Sequence, residues 1–332
     1  MLLLGAAISA GLLFILLRQF NPKDWSRFRA ILGGLDVRIL AIPLAAFACS
    51  SFLRPWRWQR IFPSGERPGF GPCFGALWAG NMANNAVPFR GGDVIRCFLV
   101  GGDTSLTKAS VALATLGLEK ILDGFALLGI LLASFMFLSP PQWLGRLGFA
   151  SAAAFGGALL AAIGLHYRTK WFLSLTRSSF KAFRLDSLGD RVATLFEWFA
   201  RGLEAVSSPL IMAQLAAITA LIWSADAVAV WGLALSLRIP LSIPGAAVVS
   251  AIVGLSLMIP SAPGFVGTYE FFSVAALRLL GVEFSAAMAL TVFMHGWMAV
   301  CTTVAGTCGL WICGISFSRL VRGEPIAPPL PR

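Results

Sequence analysis

Residues 74–100 read FGALWAGNMANNAVPFRGGDVIRCFLV, and residues 245–280 read GAAVVSAIVGLSLMIPSAPGFVGTYEFFSVAALRLL. Each passes from a short apolar stretch through Pro and Gly-rich backbone to an acid and a second apolar stretch. Such a break frees backbone N–H and C=O groups that lipid cannot satisfy. It survives at membrane depth only where protein or a water-filled cavity covers it. Two interrupted segments in corresponding halves of a chain also point to a transporter's binding site. The first halves, 74–87 and 245–259, would extend roughly 21–23 Å at 1.5 Å per residue, short of a hydrocarbon core of about 30 Å. Re-entrant half-helices are therefore expected, with a tilted full crossing as the alternative.

Composition agrees with a membrane setting. The chain is 58% hydrophobic and 12% charged, where a soluble domain carries about 25% charged residues. Its mean hydropathy is +0.81. No interval between apolar segments is long enough for an ordinary soluble domain, so a single membrane domain over residues 1–318 is expected, followed by a short Pro-rich tail at 319–332. The net charge of +11 is spread through amphipathic loops without a Lys/Arg run, which fits loops facing anionic lipid and argues against nucleic acid. The six cysteines lie in or beside apolar stretches, form no CxxC, and read as packing residues. The first 18 residues lack a basic leader and read as a retained first span.

Six full spans fit the length rule, at about 1–17, 38–55, 111–138, 147–167, 209–237 and 285–315. The fold class is accordingly all-α, a polytopic membrane protein of about six transmembrane helices plus two broken segments. A cytosolic N-terminus puts residues 54–110, 168–208 and the tail inside, with 17 of the 26 Lys/Arg. Residues 18–38 run against this orientation with five Lys/Arg. Three spans then separate the breaks, so the breaks enter from opposite faces, as in an inverted repeat with halves at about 1–138 and 147–315. Two loops carry amphipathic stripes, Trp25/Phe28/Leu32/Leu35 and Leu188/Val192/Leu195/Phe199/Leu203. They suit helices at the headgroup boundary or packed on the spans.

The polar residues at the breaks are the candidate site. Asn81, Asn84 and Asn85 fall near one helical face and offer donors and acceptors. Pro88 ends the first half-helix, Gly91 and Gly92 allow a close approach, and Asp93 opens the returning half. Arg90 and Arg96 flank the turn, and the guanidinium fork suits phosphate. In the second break, Pro260, Pro263, Gly264 and Gly267 interrupt the helix and Glu270 begins the next. Asp93 and Glu270 read equally as helix caps. Glu119 and Asp123 share a helix face within a span, where ionisable groups are costly, and are read as partners of Arg90 or Arg96 or as proton carriers. Lys120 is expected to point elsewhere. Asp226 and His295 suggest a proton relay, and a lone His equally reads as packing. No Walker A, HExxH or GxSxG motif occurs, so neither ATP drive nor catalysis is expected, and no cofactor or metal.

Arg57-Trp58, Asn84-Asn85 with Pro88, the Arg90-Gly91-Gly92-Asp93…Arg96 run, Glu119-Lys120…Asp123-Gly124 and Pro263-Gly264…Gly267…Glu270 occur in one order over nearly the whole chain. In this the chain resembles the transmembrane region of the lysylphosphatidylglycerol synthase/flippase family. The resemblance implies a bacterial or archaeal inner-membrane protein that moves or accommodates phospholipid or isoprenoid-type lipid between leaflets. The synthase domain of full-length members is not in this sequence, so synthase activity is expected to be absent. Membrane lipids are the expected partners, and the alternatives are a lipid-holding subunit for a separate synthase or glycosyltransferase, or an embedded enzyme using Glu119, Asp123 or His295. A homo-oligomer is compatible with either reading.

Overall fold

The computed structural model describes residues 2–19, 21–87, 91–100, 106–136, 142–182, 186–259 and 261–315. Pro88, Arg90, Pro260 and the tail at 319–332 lie outside the described residues. The described residues form thirteen α-helices and no strand. In chain order these are α1 (Leu2–Leu17), α2 (Pro22–Gly33), α3 (Ala41–Ile61), α4 (Phe70–Asn84), α5 (Gly91–Val100), α6 (Leu106–Ser134) and α7 (Gln142–Tyr167). There follow α8 (Thr169–Ala182), α9 (Asp186–Arg201), α10 (Pro209–Ser236), α11 (Ile243–Ser256), α12 (Thr268–Leu279) and α13 (Phe284–Ile312).

Residues Gly148–Tyr167, Pro209–Ser236 and Phe284–Ile312 are long and apolar enough to cross a membrane by themselves. α6 has 29 residues but carries Glu119, Lys120 and Asp123. α3 differs from the expected span at 38–55: it runs on to Ile61 through Pro55 and holds Arg54, Arg57 and Arg60. It can do so because Arg57 turns inward to an acid on α6 and Arg54 to one on α10.

Both broken segments are helical hairpins. α4 and α5 pack side by side, with Gly80 against Gly92 and Arg96. α11 and α12 pack likewise, and Gly245 at the start of α11 lies beside Leu280 just after α12. In the second hairpin the chain therefore returns to the level from which it set out, and in the first α5 runs back along α4. The two turns meet: a Cβ built on Gly264 would lie 3.5 Å from the Asn85 carbonyl oxygen.

Most of the helix packing maps onto itself when two five-helix units are exchanged. α2–α6 and α9–α13 share the order amphipathic helix, long helix, two half-helices, long helix. The long helices α3 and α10 pack on each other. α13 packs on α4 as α6 packs on α11, and α2 packs on α13 as α9 packs on α6. The amphipathic helices thus cover the opposite unit. α2 is fixed by its cap, since Asp24 accepts from the Asn21 N–H and the Ser285 hydroxyl, each at 2.8 Å. These bonds hold the Asp24 carboxyl below its usual range, so this docking persists at neutral pH and is lost only as acid protonates it.

The α4–α13 contact depends on small residues, which let backbones approach. A Cβ on Gly309 would stand 2.7 Å from the Gly75 carbonyl oxygen, whereas one on Gly296 meets nothing within 4 Å. Gly309→Val is therefore expected to lower stability in detergent by about 1–3 kcal/mol or more. Gly296→Ala should leave the thermal transition unchanged, and a thermal-shift assay on both variants checks this.

Candidate functional site

The second turn shows how a break is accommodated. Its backbone passes Gly264 at φ 67° and Phe265 at φ 60°, the latter a conformation that a bulky side chain rarely adopts. Side chains satisfy the freed groups one by one. Ser9 on α1 accepts from the Ala262 N–H (2.9 Å). Glu270 accepts from the Gly267 N–H (2.6 Å), closing a cap on α12. The carbonyl of Gly264 faces His295 Nε2 at 2.9 Å, and His295 Nδ1 lies 2.5 Å from Glu270 Oε1. Pro263 and Gly264 form the short 3-10 turn between them. Gly267, at φ 88°, rests on the backbone of Ser9.

Where the two turns meet, a cavity of about 310 Å³ opens. Its floor is amide: Asn81, Asn84 and Asn85 from the first hairpin. Its walls are aromatic, with Trp78, Trp223 and Trp297 joined by Phe265 and Tyr269 from the second hairpin. Arg54, Lys120, Asp123 and Asp226 add charge. Among the residues that line the cavity, Asn84 Oδ1 and Trp297 Nε1 are buried without a hydrogen-bond partner.

Behind the cavity lies a buried ionic network. Arg57, 1% exposed, grips Asp123 through two bonds, Nη1 to Oδ1 at 2.6 Å and Nη2 to Oδ2 at 3.1 Å. Thr219 on α10 accepts from the same guanidinium at 2.9 Å, and the Trp223 indole donates to Asp123 at 3.1 Å. Arg96 donates to Glu119 at 3.1 Å, lies 3.8 Å from Asp93, and stacks over Trp58 with 4.8 Å to the ring centroid. Asn84 donates to Asp93 at 3.3 Å, which ties the network to the cavity floor. Lys120 Nζ lies 3.9 Å from Glu119, and Arg54 pairs with Asp226. Three bases, Arg57, Arg96 and Lys120, thus face three acids, and removal from water is offset by pairing.

The structure brings Asn81, Asn84, Asn85 and Asp123 to the cavity wall. Arg96, Asp93 and Glu119 lie in the network beside it, with the Arg96 guanidinium turned to Glu119 rather than into the cavity. Gly92 packs against Gly80 and Asn84, and Gly91 against Val87, so these glycines close the hairpin. Lys120, expected to point elsewhere, lines the cavity. Asp226 and His295 have separate partners, Arg54 and Glu270. Sequence reading gave no role to Arg54 or Trp223. The available signal was Arg54 and Arg57 three apart on an apolar helix, complementary to Glu119, Asp123 and Asp226 in other spans.

Residues 2–306 match the family described as lysylphosphatidylglycerol synthase TM region. The chain belongs to this family. It is a multi-pass membrane protein, all-helical across its described residues. It is also 25% identical over 328 residues to Glycosyltransferase AglD of Haloferax volcanii, an alignment that covers 90% of this chain and 52% of that protein. The chain spans about half the length of this curated relative. No solved structure matches it.

Removing one member of a buried ion pair strands the other. In this family member, Arg57→Ala or Asp123→Ala is expected to cost about 3–5 kcal/mol of stability, while the double change Arg57→Met with Asp123→Leu should recover much of it. Equilibrium unfolding in mixed micelles measures all three.

Proposed function

We propose that the protein is a lipid translocase: the polar headgroup of a membrane lipid enters the cavity between the two turns while its tails stay in the bilayer. The observation that carries this reading is the cavity's position and lining. It sits where both hairpin turns meet, and its wall offers amides, indoles and charged groups from both pseudo-equivalent units. A volume of about 310 Å³ is at the lower end of small-molecule sites, which run from ~300 to 1,000 Å³. That is room for a headgroup and not for acyl chains. Asn81, Asn85 and the unpartnered Asn84 Oδ1 and Trp297 Nε1 supply hydrogen bonds to it. Arg54 and Lys120 supply positive charge for a phosphate, in competition with Asp226 and Glu119. Arg96 has the different task of fixing α5 to α6.

In this reading the chain itself makes and breaks no covalent bond. It works in the cytoplasmic membrane of a bacterium or archaeon with its N-terminus inside, an orientation supported by the Lys/Arg-rich segments 54–110 and 168–208. The family, and the likeness to part of a glycosyltransferase, support lipid or lipid-linked glycosyl carriers as the cargo class. The same likeness favours a second reading, a subunit that holds lipid for a separate lipid-modifying enzyme.

Proteoliposomes holding a fluorescent phospholipid report translocation by quenching from outside. Asn81→Leu and Asn85→Leu are each expected to slow the wild-type rate roughly tenfold, the effect of losing about 1.4 kcal/mol of headgroup binding in the transition state. Wild-type protein that binds lipid but moves none would overturn the translocase reading in favour of the lipid-holding one. Unchanged rates in both variants would remove the cavity from the path.

A further inference from the structure

We infer that Glu270 and His295 together form one proton-binding site that latches the second hairpin turn, and that loss of its proton releases the turn; as an energy input this rests on the translocase reading. The geometry is decisive because both ring nitrogens of His295 face acceptors. Nδ1 lies 2.5 Å from a carboxylate oxygen and Nε2 lies 2.9 Å from the carbonyl of Gly264. A neutral imidazole carries one N–H and serves one acceptor only. Both contacts are made when the ring holds two protons, that is, when the pair Glu270/His295 has bound one proton beyond carboxylate and neutral imidazole.

When that proton leaves, the ring keeps one N–H. The charge-assisted bond to Glu270 is the stronger of the two, so Nδ1–H stays and Nε2 becomes a lone pair facing the Gly264 oxygen. An acceptor then opposes an acceptor, and the turn is pushed off α13. The turn is poised for this. Phe265, next to Gly264, holds a left-handed conformation unfavourable for its side chain and lines the headgroup cavity. Moving Gly264 therefore moves a cavity wall and the contact with Asn85.

Few other ionisable groups surround this pair. On α12 the neighbouring titratable group is Tyr269, whose ring stacks on His295 with centroids 4.4 Å apart and fixes the imidazole plane. Arg278 lies two turns further along α12. α1 and α11, packed on α12, carry no titratable residue, and α4, packed on α13, carries only Cys73 at its far end. The charged residues of α2 are Lys23, Asp24, Arg27 and Arg29, and Asp24 and Arg27 engage Ser285 and Glu283 at the start of α13. On α10, Asp226 is paired with Arg54 of α3.

Glu270→Gln separates latch from proton. The amide accepts from Gly267 as the carboxylate does and donates to Nδ1, leaving a neutral ring to donate from Nε2 to Gly264. This variant should stay latched at every pH. The chain has two histidines, so 15N-histidine NMR on a His166→Gln background in nanodiscs isolates His295. Alkylation of Val266→Cys, with the native exposed Cys49 and Cys308 changed to Ser, reports the turn independently. His295 is expected to show two protonated nitrogens at low pH and one at high pH, and labelling should rise several-fold over the same interval. With Glu270→Gln, labelling should stay slow and flat. Titration without a change in labelling, or no titration between about pH 5 and 9, would overturn the proposal. If both behave as expected but wild-type protein moves no lipid, the translocase reading fails and the proton site stands.

Discussion

A peptide group released from its helix inside a membrane must find a partner in the protein. The rest of this architecture follows from that constraint. The described part of the second turn leaves N–H and C=O groups outside regular helix, and the fold surrounds them with other parts of the chain. Ser9 of α1, Glu270 of α12 and His295 of α13 are placed on the second turn for this purpose. In the first hairpin, α4 and α5 are held together by close glycine contacts and by Asn84, which donates to Asp93. The two hairpins meet at Gly264 and Asn85, and the cavity lined by amides, indoles and charged side chains lies at this junction.

The second consequence is electrostatic. Charged side chains reach this depth only in pairs, so α3, α5, α6 and α10 are locked by Arg57–Asp123, Arg96–Glu119 and Arg54–Asp226. The first two are buried, with Asp123 reaching the cavity wall, while the third, about a quarter exposed, also borders the cavity. The units are interlocked, since the last long helix of each supports the first half-helix of the other. In the proposed translocase reading, this interlocking would transmit a movement at one turn to the opposite unit.

Much of this was legible in the sequence, because it depends on local chemistry. Pro and Gly placed both breaks, and the half-helices expected at 74–87 and 245–259 are α4 at Phe70–Asn84 and α11 at Ile243–Ser256. The three asparagines sit together because they lie within five residues at the end of one helix. What depends on packing between distant segments was not legible. Arg57 finds Asp123 across 66 residues, and His295 finds Glu270 across 25. An arginine that faces a ligand and one that faces an acid on a neighbouring helix look alike in a sequence; the pairing of Glu119 with Arg96 was one of the expected alternatives, and it is the one Arg96 takes. Lys120 lines the cavity although it lies off the Glu119/Asp123 stripe, because the cavity wraps around α6 from Asp123 to Lys120.

The central claim is that two hairpins enter from opposite faces and meet. Single cysteines at exposed positions beside their open ends test it, in a background without the native six. Ser64→Cys and Leu106→Cys flank the first hairpin, and Pro240→Cys and Glu283→Cys flank the second. A membrane-impermeant thiol reagent applied to sealed, oriented vesicles should label the first pair from one side and the second pair from the other. Labelling of all four from one side, or a pair divided between sides, would contradict the account.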